Sequence, residues 1–121
     1  MIGVDITEIS RIRQVIDRQG DRFLQKVFTP TEQSYCNQFK NKYERYAARF
    51  AAKEAVAKLI SEGPRSYWLD IEVVNLPSGK PTVKLSPRLQ VLVAGDIEIS
   101  LSHSETSAIA VAMLAASRPA V

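Results

Sequence analysis

Apolar residues recur at helical spacing through the first half of the chain and alternate with polar ones through the second. Residues 1–6 form a short apolar run interrupted by Gly3 and Asp5, which reads as a strand. Thr7 is placed to N-cap the next element, with Glu8 in its first turn. Ile9, Ile12 and Ile16 then mark one face of a helix, with Arg11 and Arg18 opposite. Gly20-Asp21 breaks it, and Phe23, Leu24, Val27 and Phe28 continue as a second short helix. Thr29-Pro30-Thr31-Glu32 carries a capping box with Pro at the first helical position, predicting a helix to about Phe39. A long helix follows over 43–61, stopped by Gly63-Pro64. Beyond it the period falls to two. Residues 69–76 read as a strand, Pro77-Ser78-Gly79-Lys80 as a turn, and 81–86 as the returning strand. Ser86-Pro87 opens a short helix closed at Gly95, and 97–102 and 107–114 read as strands around the polar loop 103–106. The last of these is Ala-rich, but its alternation favours strand over helix.

One strand, then helices, then mostly strands predicts an α+β domain: a largely antiparallel sheet with a helical cover that includes one long helix. At 121 residues it is expected to be a single domain over 1–121 with a core that needs no staple. Cys36 is the only cysteine, so no internal disulfide can form and a reducing compartment fits. The apolar run 108–116 is too short to span a bilayer. With no basic-then-apolar leader ahead of Asp5, the expectation is a cytoplasmic protein. Residues 1–60 carry 11 basic against 7 acidic side chains, and 61–121 carry 5 against 6. A positive face is therefore expected on the helices, suited to nucleic acid, a phosphorylated ligand or an acidic protein.

The chemistry centres on the long helix, Arg49-Phe50-Ala51-Ala52-Lys53-Glu54-Ala55-Val56-Ala57-Lys58. Phe50, Glu54 and Lys58 share one i, i+4 row, with Arg49 and Lys53 in the row beside it. A surface pair between Glu54 and Lys58 would explain that arrangement at a few tenths of a kcal/mol. Asp5 has an equally ordinary reading as a turn or capping residue before the first helix. Taken together, Asp5 and Glu54 could hold Mg²⁺ with few protein ligands, while Arg49, Lys53 and Lys58 hold phosphates. His103, the only histidine, lies at the exit of a strand, where a structural role is the commoner one. Gly79-Lys80-Pro81 is a turn, although a turn does not require the lysine. Tyr43, Arg45, Tyr46 and Arg49 could imitate an aromatic-and-basic nucleic-acid patch, or simply pack. No Walker A loop, dinucleotide-binding glycine motif or nucleophile elbow is present.

In order along the chain, several blocks resemble the holo-(acyl-carrier-protein) synthase family, the small single-domain class of 4′-phosphopantetheinyl transferases. They are Gly3-Val4-Asp5-Ile6-Thr7-Glu8-Ile9, Phe28-Thr29-Pro30-Thr31-Glu32, the Arg49 to Lys58 segment, Asp70-Ile71-Glu72-Val73, Gly79-Lys80-Pro81 and Ser100-Leu101-Ser102-His103. The resemblance covers essentially the whole chain. It implies transfer of the phosphopantetheine arm of coenzyme A to a serine of apo acyl carrier protein, a step in fatty acid biosynthesis, with release of adenosine 3′,5′-bisphosphate. By that likeness Asp5 and Glu54 bind Mg²⁺ and Lys58 steadies the pyrophosphate. Arg49, Lys53, Gly79, Lys80, Pro81, His103 and Ser104 would line the coenzyme A site, and Arg11, Arg18 and Arg22 would dock the acidic carrier. The resemblance also implies a homotrimer with active sites between subunits.

The chain departs from the family in two places. Its opening is shorter, and Ser61-Glu62-Gly63-Pro64-Arg65 stands where the family favours a G-x-G turn. Two other function classes remain to be weighed: a coenzyme A or acidic-protein binding module without turnover, and a small nucleic-acid-binding domain. The joint presence of Asp5, Glu54 and Lys58 argues against the first, and the second predicts steep salt dependence with indifference to Mg²⁺.

Overall fold

The structure is a computed structural model, described here over residues 1–60 and 67–115. Its elements in order are β1 (Ile2–Glu8), α1 (Ile9–Gln19), α2 (Asp21–Val27), α3 (Pro30–Cys36), α4 (Lys42–Ala57), β2 (Ile71–Asn75), β3 (Pro81–Leu85), α5 (Pro87–Gln90), β4 (Ile97–His103) and β5 (Ser107–Leu114). Every strand pairing is antiparallel. The expected α+β class is what the chain adopts. The strands form two sheets rather than one, β1-β5-β4 and the hairpin β2-β3.

The long helix α4 lies across the three-stranded sheet, and small side chains on both sides bring them close. Ala110 and Ala112 of β5 pack with Ala51, Ala52 and Ala55 of α4, and Ala108 packs in the same cluster as Ala47; all seven are fully buried. The alternation that marked 107–114 as a strand is therefore real, but it is inverted in size. Alanines point into the core, while Ile109, Val111 and Met113 point outward and stay partly exposed. A second core lies under the helices, where Ile9, Ile12, Val27, Phe28, Cys36 and Tyr46 pack together.

Several boundaries move for local reasons. Thr7 does not cap α1; it remains in β1, and the capping position falls to Glu8, whose side chain makes no capping bond. The sheet register explains this, because β1 stays paired to β5 through Glu8 opposite Ser107. The capping box on α3 forms as expected, but the helix ends at Cys36 in turns that reach Phe39. The second strand starts at Ile71, because Trp68–Asp70 coils into a 3₁₀ turn with the Asp70 N–H bonded to the Tyr67 carbonyl. α4 ends at Ala57, and the proposed Gly63-Pro64 stop and the Ser61–Arg65 departure lie outside the described residues.

Candidate active site

Strand alternation decides what Asp5 does. In β1, Ile2, Val4 and Ile6 point to the outer face, so Gly3, Asp5 and Thr7 point toward α4. Asp5 thus occupies a position that would otherwise be apolar. Its Oδ2 accepts a 2.8 Å hydrogen bond from Thr7 Oγ1, two residues along the same face. Its Oδ1 lies 3.5 Å from Lys58 Nζ, which also donates to the Val4 carbonyl at 2.6 Å. Lys58 therefore ties the end of α4 to β1, and its ion pair is with Asp5 rather than with Glu54.

Glu54 comes from α4 to the same cleft, with Phe50 one turn earlier in the wall. Burial raises the Glu54 pKa, and the neighbouring Asp5 carboxylate raises it further, against Lys58 and a hydrogen bond from Tyr67. The Tyr67 hydroxyl donates to Oε1 at 3.5 Å. Two carboxylates from separate elements so face each other with their negative charge only partly compensated. The cleft has a volume of about 660 Å³, its polar wall including Thr7, Glu8 and Arg11 and its apolar wall Ile12, Val15 and Phe23. No cluster of three or more metal-binding side chains occurs among the described residues.

A second cleft of about 200 Å³ lies where α4 meets the β2-β3 turn and the end of β4. It gathers Arg49, His103, and Gly79 and Pro81 of one turn, from three distant parts of the chain that were expected to share a site. Arg49 is almost wholly buried, donates to Asn75 Oδ1, and lies with its guanidinium carbon 4.0 Å from the centre of the Tyr35 ring. Asn75 in turn holds the turn by donating to the Gly79 carbonyl at 3.0 Å. Arg45 stacks on Phe39, and the Nε atoms of Arg45 and Arg49 are buried without a hydrogen-bond partner. Buried guanidinium N–H groups left unpaired fit a site meant for an anion. His103 Nδ1 lies 3.4 Å from Glu44 Oε2, and Lys80 and Ser104 are exposed nearby in sequence.

Lys53 belongs to neither cleft, and its expected place among the phosphate-binding residues is corrected. It is fully buried and bonds Glu32 Oε1 at 2.6 Å, the Val27 carbonyl at 2.7 Å and the Trp68 carbonyl at 2.8 Å. All three ammonium protons are thereby used inside the protein. The helical row was read correctly, but Lys53 lies on the side of α4 that faces α3 and β2. The nucleic-acid patch also dissolves, since Tyr46 is buried with its hydroxyl bonded to Asn37 and cannot stack on bases.

Arg11, Arg18 and Arg22 are exposed, and Arg11 also lines the rim of the first cleft. Sequence reasoning missed Thr7, Tyr67, Glu44, Arg45 and Asn75 as neighbours of these sites. Only Thr7 carried a signal, because strand periodicity places it beside Asp5. The others meet their partners through tertiary contacts.

A family model described as the 4′-phosphopantetheinyl transferase superfamily matches residues 1–113. A holo-[acyl-carrier-protein] synthase of Koribacter versatilis is 45% identical over 118 residues, covering 93% of this chain and 94% of its own. That of Solibacter usitatus is 44% identical over 108 residues, 84% of this chain and 86% of its own. Among solved structures, the Helicobacter pylori holo-[acyl-carrier-protein] synthase in complex with coenzyme A superposes with a TM-score of 0.85 at 32% identity, covering 95% of this chain and all of that one. The Neisseria meningitidis enzyme gives 0.84 at 28% identity, covering 95% and 97%.

Proposed function

The chain belongs to the holo-(acyl-carrier-protein) synthase family of 4′-phosphopantetheinyl transferases, and on that premise we propose how its residues divide the work. The enzyme transfers the 4′-phosphopantetheine moiety of coenzyme A to a serine of apo acyl carrier protein and releases adenosine 3′,5′-bisphosphate. The serine oxygen attacks the phosphorus bearing the pantetheine arm. The phosphoanhydride P–O bond breaks, and its electron pair leaves with the nucleotide. Such a transfer needs alignment and charge neutralisation more than covalent help.

The observation that carries the assignment is the meeting of Asp5 and Glu54 in one cleft, with Glu54 pushed toward its protonated form by burial and by Asp5. A pair of carboxylates short of positive charge fits Mg²⁺, which keeps waters and phosphate oxygens as its other ligands. When bound there, the ion would offset the charge of the pyrophosphate. Lys58 neutralises the charge on that side of the cleft, and Glu54 or a water beside it takes the serine proton. Phe23 and Phe50 exclude water from the apolar wall. Arg49, Gly79, Lys80, Pro81, His103 and Ser104 bind the nucleotide end of coenzyme A. The unpaired guanidinium N–H in the second cleft supports that role for Arg49. Arg11, Arg18 and Arg22 receive the carrier's acidic surface.

The two clefts share no lining residue, which supports a reading in which the site is completed between subunits of a homotrimer. The outer face of the three-stranded sheet supports this, because Ile2, Val4, Ile6, Ile109, Val111 and Met113 form an exposed apolar patch at paired positions. The protein acts as one domain over 1–121, in the cytoplasm. No helix among the described residues is long and apolar enough to cross a membrane.

The deciding experiment is the intact mass of an apo acyl carrier protein after incubation with this protein, coenzyme A and Mg²⁺, with and without EDTA. A gain of one phosphopantetheine that EDTA abolishes is the expected result. A gain indifferent to EDTA removes the role assigned to Asp5 and Glu54.

A further inference from the structure

Each carboxylate of the first cleft accepts a hydrogen bond from a nearby hydroxyl. Thr7 serves Asp5 from the same strand, while Tyr67 reaches Glu54 from the segment leading into β2. The Tyr67 ring is held on both sides. Its neighbour Trp68 packs 5.0 Å from it, centroid to centroid, and Trp68 itself stacks at 5.0 Å on Phe50 of α4. The ring also packs against the core formed by Ala55, Val56, Ile71 and Leu89. A ring fixed in this way offers its hydroxyl from one direction, and Glu54 Oε1 accepts it.

We propose that Tyr67 is a positioning residue that occupies Oε1 of Glu54 and turns Oε2 toward Asp5, setting the geometry of the divalent-cation site. The proposal rests on the assignment of Asp5 and Glu54 as the cation ligands. Carboxylate ligands are commonly oriented by a second hydrogen bond, and losing such a partner weakens metal binding by roughly 10- to 100-fold. A tyrosine hydroxyl keeps its proton at neutral pH and so can donate. Lys58 is engaged elsewhere, its ammonium bonded to the Val4 carbonyl and paired with Asp5.

The test is an electron paramagnetic resonance titration of Mn²⁺ into the full chain saturated with coenzyme A, comparing wild type, Tyr67→Phe and Glu54→Gln. Tyr67→Phe should weaken Mn²⁺ binding by about tenfold. The Mg²⁺ concentration for half-maximal turnover should rise by the same factor, while metal-free melting stays unchanged. Wild-type Mn²⁺ affinity in Tyr67→Phe overturns the proposal and leaves the ligand assignment standing. Equal binding by wild type and Glu54→Gln overturns the ligand assignment, and the proposal with it. If Tyr67→Phe also melts earlier, the Tyr67→Phe/Glu54→Gln double variant decides. A stability loss of equal size in both backgrounds makes Tyr67 a packing residue and overturns the proposal; a loss confined to the Glu54 background supports it.

Discussion

Gly3 of β1 packs so closely on Ala55 of α4 that a Cβ at residue 3 would fall 2.1 Å from the Ala55 carbonyl oxygen. The next atoms it would meet are the Ala55 carbonyl carbon at 3.1 Å and Lys58 Cβ at 3.3 Å. Ala55 follows Glu54, and Gly3 lies two residues before Asp5 on the same face of its strand. The missing side chain is what lets strand and helix bring the two carboxylates into one cleft.

Gly3→Ala should therefore do two things at once. Overpacking against a rigid backbone costs about 1–3 kcal/mol, read by chemical denaturation. Displacing β1 from α4 should also cut turnover well beyond what the lost stability explains. Full activity at reduced stability would mean that the carboxylates tolerate the shift.

Lys53 and Glu32 form a fully buried ion pair, and Lys53→Met leaves the Glu32 carboxylate uncompensated in the core. Breaking one partner of such a pair costs about 3–5 kcal/mol. Denaturation midpoints measure this directly. A selective rise in coenzyme A KM with stability intact would return Lys53 to the phosphate site.

Alkaline pH should unfold the protein partly through Cys36. Burial holds its thiol up at about 12 against an ordinary value of 9.0. The unfolded chain then loses this proton first, so stability is complete below pH 9 and falls as pH rises toward 12. In Cys36→Ala the fall over that window should be shallower by about 1.4 kcal/mol per pH unit. Lys53, whose pKa burial lowers, opposes this fall in both proteins.

Arg18→Glu reverses an exposed charge on α1 that faces solvent rather than either cleft. The KM for apo acyl carrier protein should rise severalfold while that for coenzyme A stays unchanged. Steady-state kinetics with each substrate varied in turn separates the two, and an unchanged carrier KM places docking elsewhere.

Val111 lies on the central strand of the exposed apolar sheet face. A lysine there should convert the proposed homotrimer to monomers in sedimentation velocity, and turnover should be lost with it. Monomers that keep full turnover would mean that one chain contains a complete site.

What the sequence determined by itself was everything governed by local periodicity and local chemistry. The helical row of α4, the capping box at Thr29 and Glu32, the β2-β3 turn and the strand nature of 107–114 follow from spacings that neighbours in the chain enforce. The motifs from Asp5 to His103 also identified the chemistry, because a family likeness is carried by residue order. Only the tertiary structure decided which charges are spent inside the protein. Lys53 and Lys58 read alike in sequence, yet one is buried against Glu32 and the other reaches Asp5 at the mouth of a cleft. Burial and long-range pairing depend on how α4 rolls over the sheet, and that roll is set by alanines and Gly3 packing together rather than by any local signal. The same reason kept Tyr67 out of sight: its hydroxyl finds Glu54 thirteen residues away only once α4 and the approach to β2 have packed.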